Sequence, residues 1–217
     1  MSLAIFDLDN TLLAGDSDYL WGVFLSEQGL VDKQYYETQN RMFYEQYKAG
    51  TLDIFEFHAF SLKPLSENNM VLLNKIHKEF MSNSILPIIT QASRNLLQKH
   101  RAQGDCILII TATNSFITRP IAQALAVDDI IATEPEIING EFTGKISGIP
   151  CFQEGKVSRL QDWLIGKDFD LSDSWFYSDS INDLPLLEKV ANAVAVDPDD
   201  KLRQLALTRE WPIISLL

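Results

Sequence analysis

Residues 3–11 read Leu-Ala-Ile-Phe-Asp-Leu-Asp-Asn-Thr, an apolar run that passes directly into two aspartates. The run predicts a short buried strand over residues 3–8. In parallel sheets, functional side chains gather at the carboxyl ends of the strands. Asp7 and Asp9 are two residues apart, so on an extended chain both carboxylates face the same side. The stretch therefore predicts the first strand of a parallel sheet, with an acidic pair at its carboxyl end.

Strand-like and helix-like segments alternate through the second half of the chain. Apolar, β-prone runs occupy residues 106–111, 130–133, 174–177 and 193–196. Helical periodicity covers residues 88–101, 115–126 and 154–165. This alternation predicts an α/β fold with a doubly wound parallel (Rossmann-like) sheet. The pair Asn139-Gly140, set between two short β-prone pieces, predicts a β-hairpin over residues 137–146.

A different pattern fills residues 16–83. Aromatic and aliphatic residues recur there at helical spacing, and strand-like alternation is missing. We therefore expect an inserted helical domain over residues 16–83, with a core domain formed by residues 1–15 and 84–217. Pro87 suits the first turn of the helix that follows, and Gly104 suits its end.

Composition narrows the classes of function. The chain has 217 residues, of which 46% are hydrophobic, and a formal net charge of -12. So acidic a chain, without a cluster of basic residues, is a poor binder of nucleic acid. No apolar run approaches the ~20 residues of a membrane span, and a strand that begins at Leu3 leaves no room for a signal segment. We expect a cytoplasmic protein without a membrane or nucleic-acid partner; the sequence does not indicate its oligomeric state.

Three further motifs stand at predicted strand or helix ends. An apolar strand ends at Thr111 just before a helix, where a hydroxyl and free N–H groups form a seat for phosphate. Lys156 lies near the start of a predicted helix, where a cation is electrostatically unfavourable. Asp179 ends a strand, and Asp183 follows at a helix start. Each also has an ordinary structural explanation, such as a helix cap or a solvated side chain, so only their combination is informative.

Taken in order, these motifs resemble the haloacid dehalogenase superfamily of hydrolases. The match consists of D-x-D-N-T at residues 7–11, the strand ending in threonine, the isolated lysine, and S-D-S-I-N-D at residues 178–183. It covers essentially the whole chain, and the helical insertion after the first motif is most similar to the phosphoserine phosphatase-like branch (subfamily IB). The resemblance implies a phosphatase that uses Mg²⁺ and acts on a small phosphomonoester through a phospho-aspartate.

The resemblance also implies roles for the acidic residues. Asp7 is the expected nucleophile, and Asp9 the expected general acid and base. The Mg²⁺ ligands are expected to be the Asp7 side chain, the Asp9 backbone carbonyl and Asp179. A cation between these groups offsets the repulsion between carboxylate and phosphate.

The remaining expected contacts concern the phosphoryl group and the substrate. Thr111 is expected to hydrogen-bond the transferring group and Lys156 to neutralise its charge, while Asp183 holds Lys156 or a metal-bound water. Further substrate- and phosphate-binding residues are expected at Asn10, Ala112 and Asn182.

Asp16 falls where phosphoserine phosphatases carry an acid that receives the substrate's ammonium. Asp18 is interpreted as a helix cap or, alternatively, a second acid of the cap domain. Arg41 is the only arginine between Thr11 and Gln91, and its position does not match the arginine that clamps the carboxylate of phosphoserine. The pattern favours an amine-bearing phosphomonoester, either phosphoserine-like or without a carboxylate, such as histidinol phosphate.

Two other classes share parts of this pattern. A receiver-like phosphoacceptor module also has acids, a threonine and a lysine at strand ends, but it is about half as long and lacks the second acid of the D-x-D pair. A phosphotransferase of the same fold would use the same phospho-aspartate and pass the phosphoryl group to an alcohol. A long-lived phosphoprotein would indicate the former, and product analysis separates the latter from a hydrolase.

Overall fold

A computed structural model describes residues 2–217 of the chain. Its centre is a sheet of seven strands. These are β1 Leu3–Phe6, β2 Cys106–Asn114, β3 Asp129–Ile138, β4 Glu141–Ser147, β5 Trp175–Ser178, β6 Asn192–Val196 and β7 Ile213–Ile214. They lie in the order β4-β3-β2-β1-β5-β6-β7. All neighbours are parallel except β3 and β4, which form the antiparallel hairpin predicted around Asn139-Gly140.

Helices cover both faces of the sheet and fill the segment after β1. They are α1 Ser17–Glu27, α2 Lys33–Ala49, α3 Ile54–Ser61, α4 Lys63–Glu67, α5 Met70–Phe80, α6 Gln91–Gln103, α7 Ser115–Leu125, α8 Glu154–Leu164, α9 Leu184–Leu187 and α10 Asp200–Arg209. We call α1 to α5, residues 17–80, the helical insertion. The predicted fold class is confirmed. Within residues 2–217, no helix combines the length and the apolar character that crossing a bilayer requires.

Two apolar clusters lie on opposite faces of the sheet. Leu3 and Ile5 point into one cluster, while Ala4 and Phe6 point into the other, as the alternation of a strand requires. The second of these clusters continues into the helical insertion, where it includes Trp21. Because β1 is buried on both faces, its carboxyl end is held firmly in the middle of the sheet.

The structure corrects several predicted boundaries. β1 ends at Phe6, because the chain turns at Leu8, whose carbonyl accepts hydrogen bonds from the next turn. The helix predicted over residues 88–101 begins only at Gln91, since Thr90 caps it by accepting a hydrogen bond from the Ser93 N–H. Pro87 lies in a 3₁₀ turn before that cap. Gly104 ends the helix in the left-handed conformation, as predicted.

Candidate active site

The predicted acids meet at the carboxyl edge of the sheet. β1 lies between β2 and β5, and Asp7 comes directly after β1. The Asp7 N–H donates to the Tyr177 carbonyl of β5 at 2.9 Å, which fixes the start of the loop. Thr111 lies on β2, and Asp179 directly follows β5. Three neighbouring strands therefore deliver their polar residues to one edge.

A buried lysine joins two of these acids. Lys156 is 3% exposed, and its Nζ donates to Asp7 Oδ1 at 2.7 Å and to the Asp183 carboxylate at 2.7 Å. The Ser178 hydroxyl donates to Asp183 at 2.7 Å. Asp183 therefore holds the lysine, and Ser178 holds Asp183. Ser178 was not among the predicted site residues; its signal is its position just before the predicted Asp179.

Gly155 allows Lys156 to reach the site from the start of α8. A β-carbon at residue 155 would lie 2.1 Å from the Pro150 carbonyl oxygen. No side chain fits at such a distance, so only glycine lets the preceding turn fold against the helix start. The sequence analysis predicted a role only for Lys156, and the glycine before it has its own structural reason.

Asp9 is held from two sides. Its Oδ1 accepts from the Ser17 N–H at 2.6 Å, and its Oδ2 accepts from the Thr113 hydroxyl at 2.8 Å. The pairing of β2 with β3 shifts register between Thr111 and Asn114. Within this irregular stretch, the Thr111 hydroxyl accepts from the Thr113 N–H at 3.2 Å. Thr113 is a site residue that the sequence analysis missed, and its alternation with Thr111 is the signal that could have found it.

Asp179 is anchored through its backbone and its side chain. Its carbonyl accepts from the Asp199 N–H at 2.8 Å, and its Oδ1 accepts from the Thr11 hydroxyl at 3.3 Å. Thr11 was quoted as part of the first motif but given no role. The contact shows that the motif's threonine links the loops that follow β1 and β5.

Burial dominates the electrostatics of the edge. It raises the pKa of Asp7 to about 7, against the effect of Lys156, and the nearby Asp183 charge adds to the rise. It raises the pKa of Asp9 to about 6, with Asp16 contributing and the bonds from Ser17 and Thr113 opposing. Burial and the Asp7 charge hold the pKa of Asp179 well above its usual range.

Lys156, in contrast to the aspartates, is held in its charged form. Burial favours the neutral form of Lys156, but the charges of Asp183 and Asp7 outweigh it and hold the lysine pKa well above its usual value. One buried cation therefore faces several carboxylates, and the edge carries an excess of negative charge.

This excess of negative charge is what the expected divalent cation would neutralise. The Asp7 charge contributes to the raised pKa of Asp179, and the charges of Asp183 and Asp9 contribute to that of Asp7. A cation beside these carboxylates would relieve the repulsion. Among residues 2–217, no group of three His, Cys, Asp or Glu side chains has the arrangement of a metal site. The expected donor set has only two carboxylates and one backbone carbonyl, so the two observations agree. Oxygen donors of this kind suit Mg²⁺.

Three further residues were predicted to bind the substrate or the phosphate: Asn10, Ala112 and Asn182. Asn10 is exposed, has a positive φ of 57°, and donates its backbone N–H to the Gly15 carbonyl at 2.9 Å. Ala112 lies half-buried in the irregular stretch of β2. Asn182 is buried; its Oδ1 accepts from the Gln153 amide at 3.2 Å, and its Nδ2 donates to the Tyr47 carbonyl at 3.2 Å. Asn182 thus ties the edge to the helical insertion.

The helix cap predicted at Asp18 lies instead at Asp16. Asp16 is the N-cap of α1, since its Oδ1 accepts from the N–H groups of Asp18 and Tyr19, both at 2.9 Å. The interpretation of Asp18 as the helix cap is therefore wrong. Asp18 lies in the first turn of α1, where burial and the Asp16 charge hold its pKa well above the usual range. The role of Asp16 toward an ammonium stays a prediction.

Comparisons with known proteins agree with this geometry. The family model for haloacid dehalogenase-like hydrolases matches residues 4–188. A histidinol-phosphatase of Neisseria meningitidis serogroup C is 43% identical over 99% of this chain and 98% of its own length. A phosphoserine phosphatase of Mycobacterium tuberculosis is 31% identical over 97% of this chain and 69% of its own length.

Solved structures show the same architecture. A protein of unknown function from Bordetella pertussis Tohama I has a TM-score of 0.93 and 43% identity, covering 100% of this chain and 99% of its own. A phosphoserine phosphatase, solved as a phospho-aspartyl intermediate analogue, has a TM-score of 0.73 and 17% identity, covering 100% of this chain and 93% of its own, and supports the fold alone. The chain therefore belongs to the haloacid dehalogenase-like hydrolase family and is a phosphatase.

Proposed function

We propose that the protein hydrolyses a small phosphomonoester through a phospho-aspartate on Asp7. The observation that carries the proposal is the buried bridge from Lys156 to Asp7 and Asp183. The lysine takes up Oδ1 of Asp7, whereas Oδ2 has no hydrogen-bond partner among residues 2–217. One carboxylate oxygen is oriented, and the other is free to attack.

The proposed reaction has two steps. An Asp7 oxygen attacks phosphorus, the bond from phosphorus to the ester oxygen breaks, and Asp9 gives its proton to the departing alkoxide. Asp9 then takes a proton from a water that attacks the same phosphorus, which releases inorganic phosphate and restores Asp7. A pKa of about 6 lets Asp9 carry a proton in the first step and accept one in the second.

Phosphatases of this family generally use Mg²⁺. We propose that Asp7, Asp179 and the Asp9 backbone carbonyl hold the ion. When bound, it supplies positive charge that offsets the repulsion between the carboxylates and the phosphate. Lys156 and Thr111 complete the positive and hydrogen-bonding environment of the phosphoryl group.

We also propose that residues 16–83 act as a cap over a core formed by residues 1–15 and 84–217. The end of α2 supports this role, because the Tyr47 carbonyl accepts from Asn182 at 3.2 Å and the Lys48 carbonyl accepts from Lys201 at 3.3 Å. These contacts link the end of α2 to the segment after β5 and to α10, which supports a position of the insertion over the carboxyl edge of the sheet. A cap in this position excludes water from the phospho-aspartate.

For the substrate, we propose an amine-bearing phosphomonoester without a carboxylate. The Neisseria relative is named a histidinol-phosphatase and covers nearly the whole chain. Arg41, the only arginine between Thr11 and Gln91, lies exposed on α2 and makes no side-chain hydrogen bond or ion pair with residues 2–217. No contact within residues 2–217 therefore orients this arginine as a clamp for a substrate carboxylate.

The proposal is tested by phosphate release from a panel of phosphomonoesters, with Mg²⁺ and with a chelator. We expect L-histidinol phosphate to exceed O-phosphoserine in kcat/KM, and the chelator to abolish turnover. Asp7→Asn should lower kcat by at least about 10³-fold with the fold intact. Asp162→Asn is the matched control, because Asp162 is exposed on α8, and its kcat should not change.

Several outcomes would contradict the proposal. Turnover by Asp7→Asn would show that Asp7 is not the nucleophile. A stable phosphoprotein would indicate a signalling module. Transfer of phosphate to an added alcohol in preference to water would indicate a phosphotransferase. Preference for sugar phosphates or nucleotides would contradict only the proposed amine-bearing substrate and would leave the proposed phosphatase reaction in place.

A further inference from the structure

The first residue of α1 carries a buried hydroxyl without a partner. Ser17 is 0% exposed, and its Oγ forms no hydrogen bond with residues 2–217. Its backbone N–H, in contrast, donates to Asp9 Oδ1 at 2.6 Å. Because a serine Oγ stays within about 4 Å of its own backbone nitrogen, this hydroxyl lies no more than about 7 Å from Asp9 Oδ1. The unpartnered group therefore belongs to the surroundings of the expected general acid and base.

The Ser17 hydroxyl has no structural task within the described chain. The cap of α1 does not need it, since the Asp16 Oδ1 accepts from the N–H groups of Asp18 and Tyr19. A buried polar group without a partner destabilises the folded protein, because it has lost its hydrogen bonds to water. Alanine at residue 17 would avoid this loss and would also favour the helix. A serine here indicates a partner that is present only during the reaction.

The neighbouring threonine hydroxyls are already engaged. Thr113 donates to Asp9 Oδ2 at 2.8 Å, and Thr11 donates to Asp179 Oδ1 at 3.3 Å. The Thr111 hydroxyl accepts from the Thr113 N–H at 3.2 Å. Compared with these three, the Ser17 hydroxyl is the one left without a bond inside the described part of the chain.

The second step of the proposed reaction supplies a partner for this hydroxyl. The water that attacks the phospho-aspartate has two protons, and Asp9 takes one of them. A lone pair of the water must point at phosphorus, so the second O–H points elsewhere and needs an acceptor in a site closed to bulk water. A serine oxygen accepts such a hydrogen bond. Asp9 and Ser17 together would hold the water by both protons and fix the direction of its attack.

We propose that the Ser17 hydroxyl accepts a hydrogen bond from the second proton of the attacking water and thereby favours water over alcohols as acceptor of the phosphoryl group. The inference rests on the proposed phosphatase function. The water oxygen bonds to phosphorus while the bond from phosphorus to the Asp7 oxygen breaks, and that electron pair returns to the Asp7 carboxylate. One proton passes to Asp9, and the other stays on the released phosphate.

An alcohol cannot replace water in this arrangement. Methanol has a single O–H, which Asp9 would take, so its methyl group would face the Ser17 oxygen without a hydrogen bond. The wild-type protein should therefore use methanol less often, per molecule, than water. Removal of the hydroxyl should reduce this discrimination.

The test measures the two steps separately in the presence of Mg²⁺. p-Nitrophenyl phosphate is the substrate, because its phenolate leaves with little help from an acid. Rapid mixing follows p-nitrophenol, which reports formation of the phospho-aspartate, and inorganic phosphate, which reports its hydrolysis. Methanol is then added at increasing concentration, and the ratio of methyl phosphate to inorganic phosphate measures the choice of acceptor.

Ser17→Ala should slow hydrolysis of the phospho-aspartate about three- to tenfold, the effect of one hydrogen bond, and enlarge the initial burst of p-nitrophenol. The ratio of methyl phosphate to inorganic phosphate should rise by a similar factor. Formation of the phospho-aspartate should change by less than about twofold. The free energy of unfolding should increase, because the variant lacks the unpartnered group.

Two further variants complete the test. Ser17→Cys fills the same place with a weak acceptor, so hydrolysis should stay slow, and this variant keeps the test valid if Ser17→Ala does not fold. Ser61→Ala is the matched control. The Ser61 hydroxyl is also buried and unpartnered, and no hydrogen bond within residues 2–217 joins it to Asp9. This control should leave hydrolysis of the phospho-aspartate and the methanol ratio unchanged.

Four results would overturn the inference. They are wild-type hydrolysis of the phospho-aspartate in the Ser17 variants, an unchanged methanol ratio in Ser17→Ala, the same changes in Ser61→Ala, and a wild-type protein that uses methanol and water equally per molecule. If acid quenching traps no phospho-aspartate on Asp7 in any variant, the proposed function fails. A phospho-aspartate whose hydrolysis does not depend on Ser17 contradicts the inference alone.

Discussion

Two buried histidines, one in the core and one in the helical insertion, are in opposite situations. His100 on α6 is 1% exposed; its Nδ1 contacts Asp105 at 2.8 Å and its Nε2 contacts the Tyr177 hydroxyl at 2.8 Å. His58 on α3 is 2% exposed, and neither nitrogen has a partner. The contrast extends to the whole of residues 2–217. All the buried side-chain polar atoms without partners belong to the insertion: those of Ser17, Trp21, Gln46, His58 and Ser61.

The difference indicates that the core and the helical insertion have different roles. Lys156, Asp183 and Ser178 hold one another through hydrogen bonds, so this part of the carboxyl edge of the sheet is organised before a substrate arrives. The insertion leaves polar groups unsatisfied, which is common where a binding surface is completed by water or ligand. Stability and catalysis should therefore respond strongly to changes in the core, whereas changes in the insertion should alter pH dependence and selectivity.

Lys156→Met should have the largest effect on stability. It removes the cation between Asp7 and Asp183 and leaves buried carboxylates facing one another, which costs about 3–5 kcal/mol. Chemical denaturation at neutral pH in the presence of a chelator measures the loss. Lys189→Met, at an exposed position, should change the free energy of unfolding by less than about 0.5 kcal/mol. Equal changes in the free energy of unfolding for the two substitutions would contradict the view that Lys156 stabilises the buried carboxylates.

His58→Leu should change the pH dependence of stability. Burial lowers the pKa of His58 to about 4 from the ordinary 6.5. Between these two pH values the unfolded chain binds a proton that the folded chain does not, so the wild-type protein loses stability as pH falls through this window. The loss amounts to about 3 kcal/mol at most, and His58→Leu should remove it.

The measurement is the free energy of unfolding at several pH values from 7 down to 4, compared between the variant and the wild-type protein. Gln46→Met is the control, because it removes another unpartnered buried atom that does not titrate. It should leave the pH dependence unchanged. A His58→Leu protein with the wild-type slope would show that this histidine finds a partner in solution.

Thr113→Val should have the smallest effect. It removes the 2.8 Å hydrogen bond to Asp9, worth about 0.5–1.5 kcal/mol, so kcat should fall roughly two- to tenfold. Because this bond lowers the pKa of Asp9, its loss should move the Asp9 titration in the pH profile of kcat to higher pH. Thr208→Val, on exposed α10, should change neither. A lower kcat with an unshifted profile would contradict the link to Asp9.

Much of the fold was predictable because its signals are local. Alternating runs predicted the parallel sheet, Asn139-Gly140 predicted the hairpin, and Gly104 predicted a helix end. The short last strand β7 was not predicted, since two residues carry no periodicity. The predicted start of α6 was wrong because Pro87 suggested a first helical turn, whereas the hydroxyl of Thr90 caps the helix three residues later.

For the site, the sequence alone determined the kinds of groups and the strand ends that carry them, since strand direction and residue order follow from local pattern. The tertiary structure alone decided which groups touch. Lys156 meets Asp7 across 149 positions of the chain, and Thr113 meets Asp9 across 104. Whether Asp16 or Asp18 caps α1 depended on the backbone angles at the helix start. Contacts of this kind depend on packing in three dimensions, which pattern and spacing along the chain do not encode residue by residue.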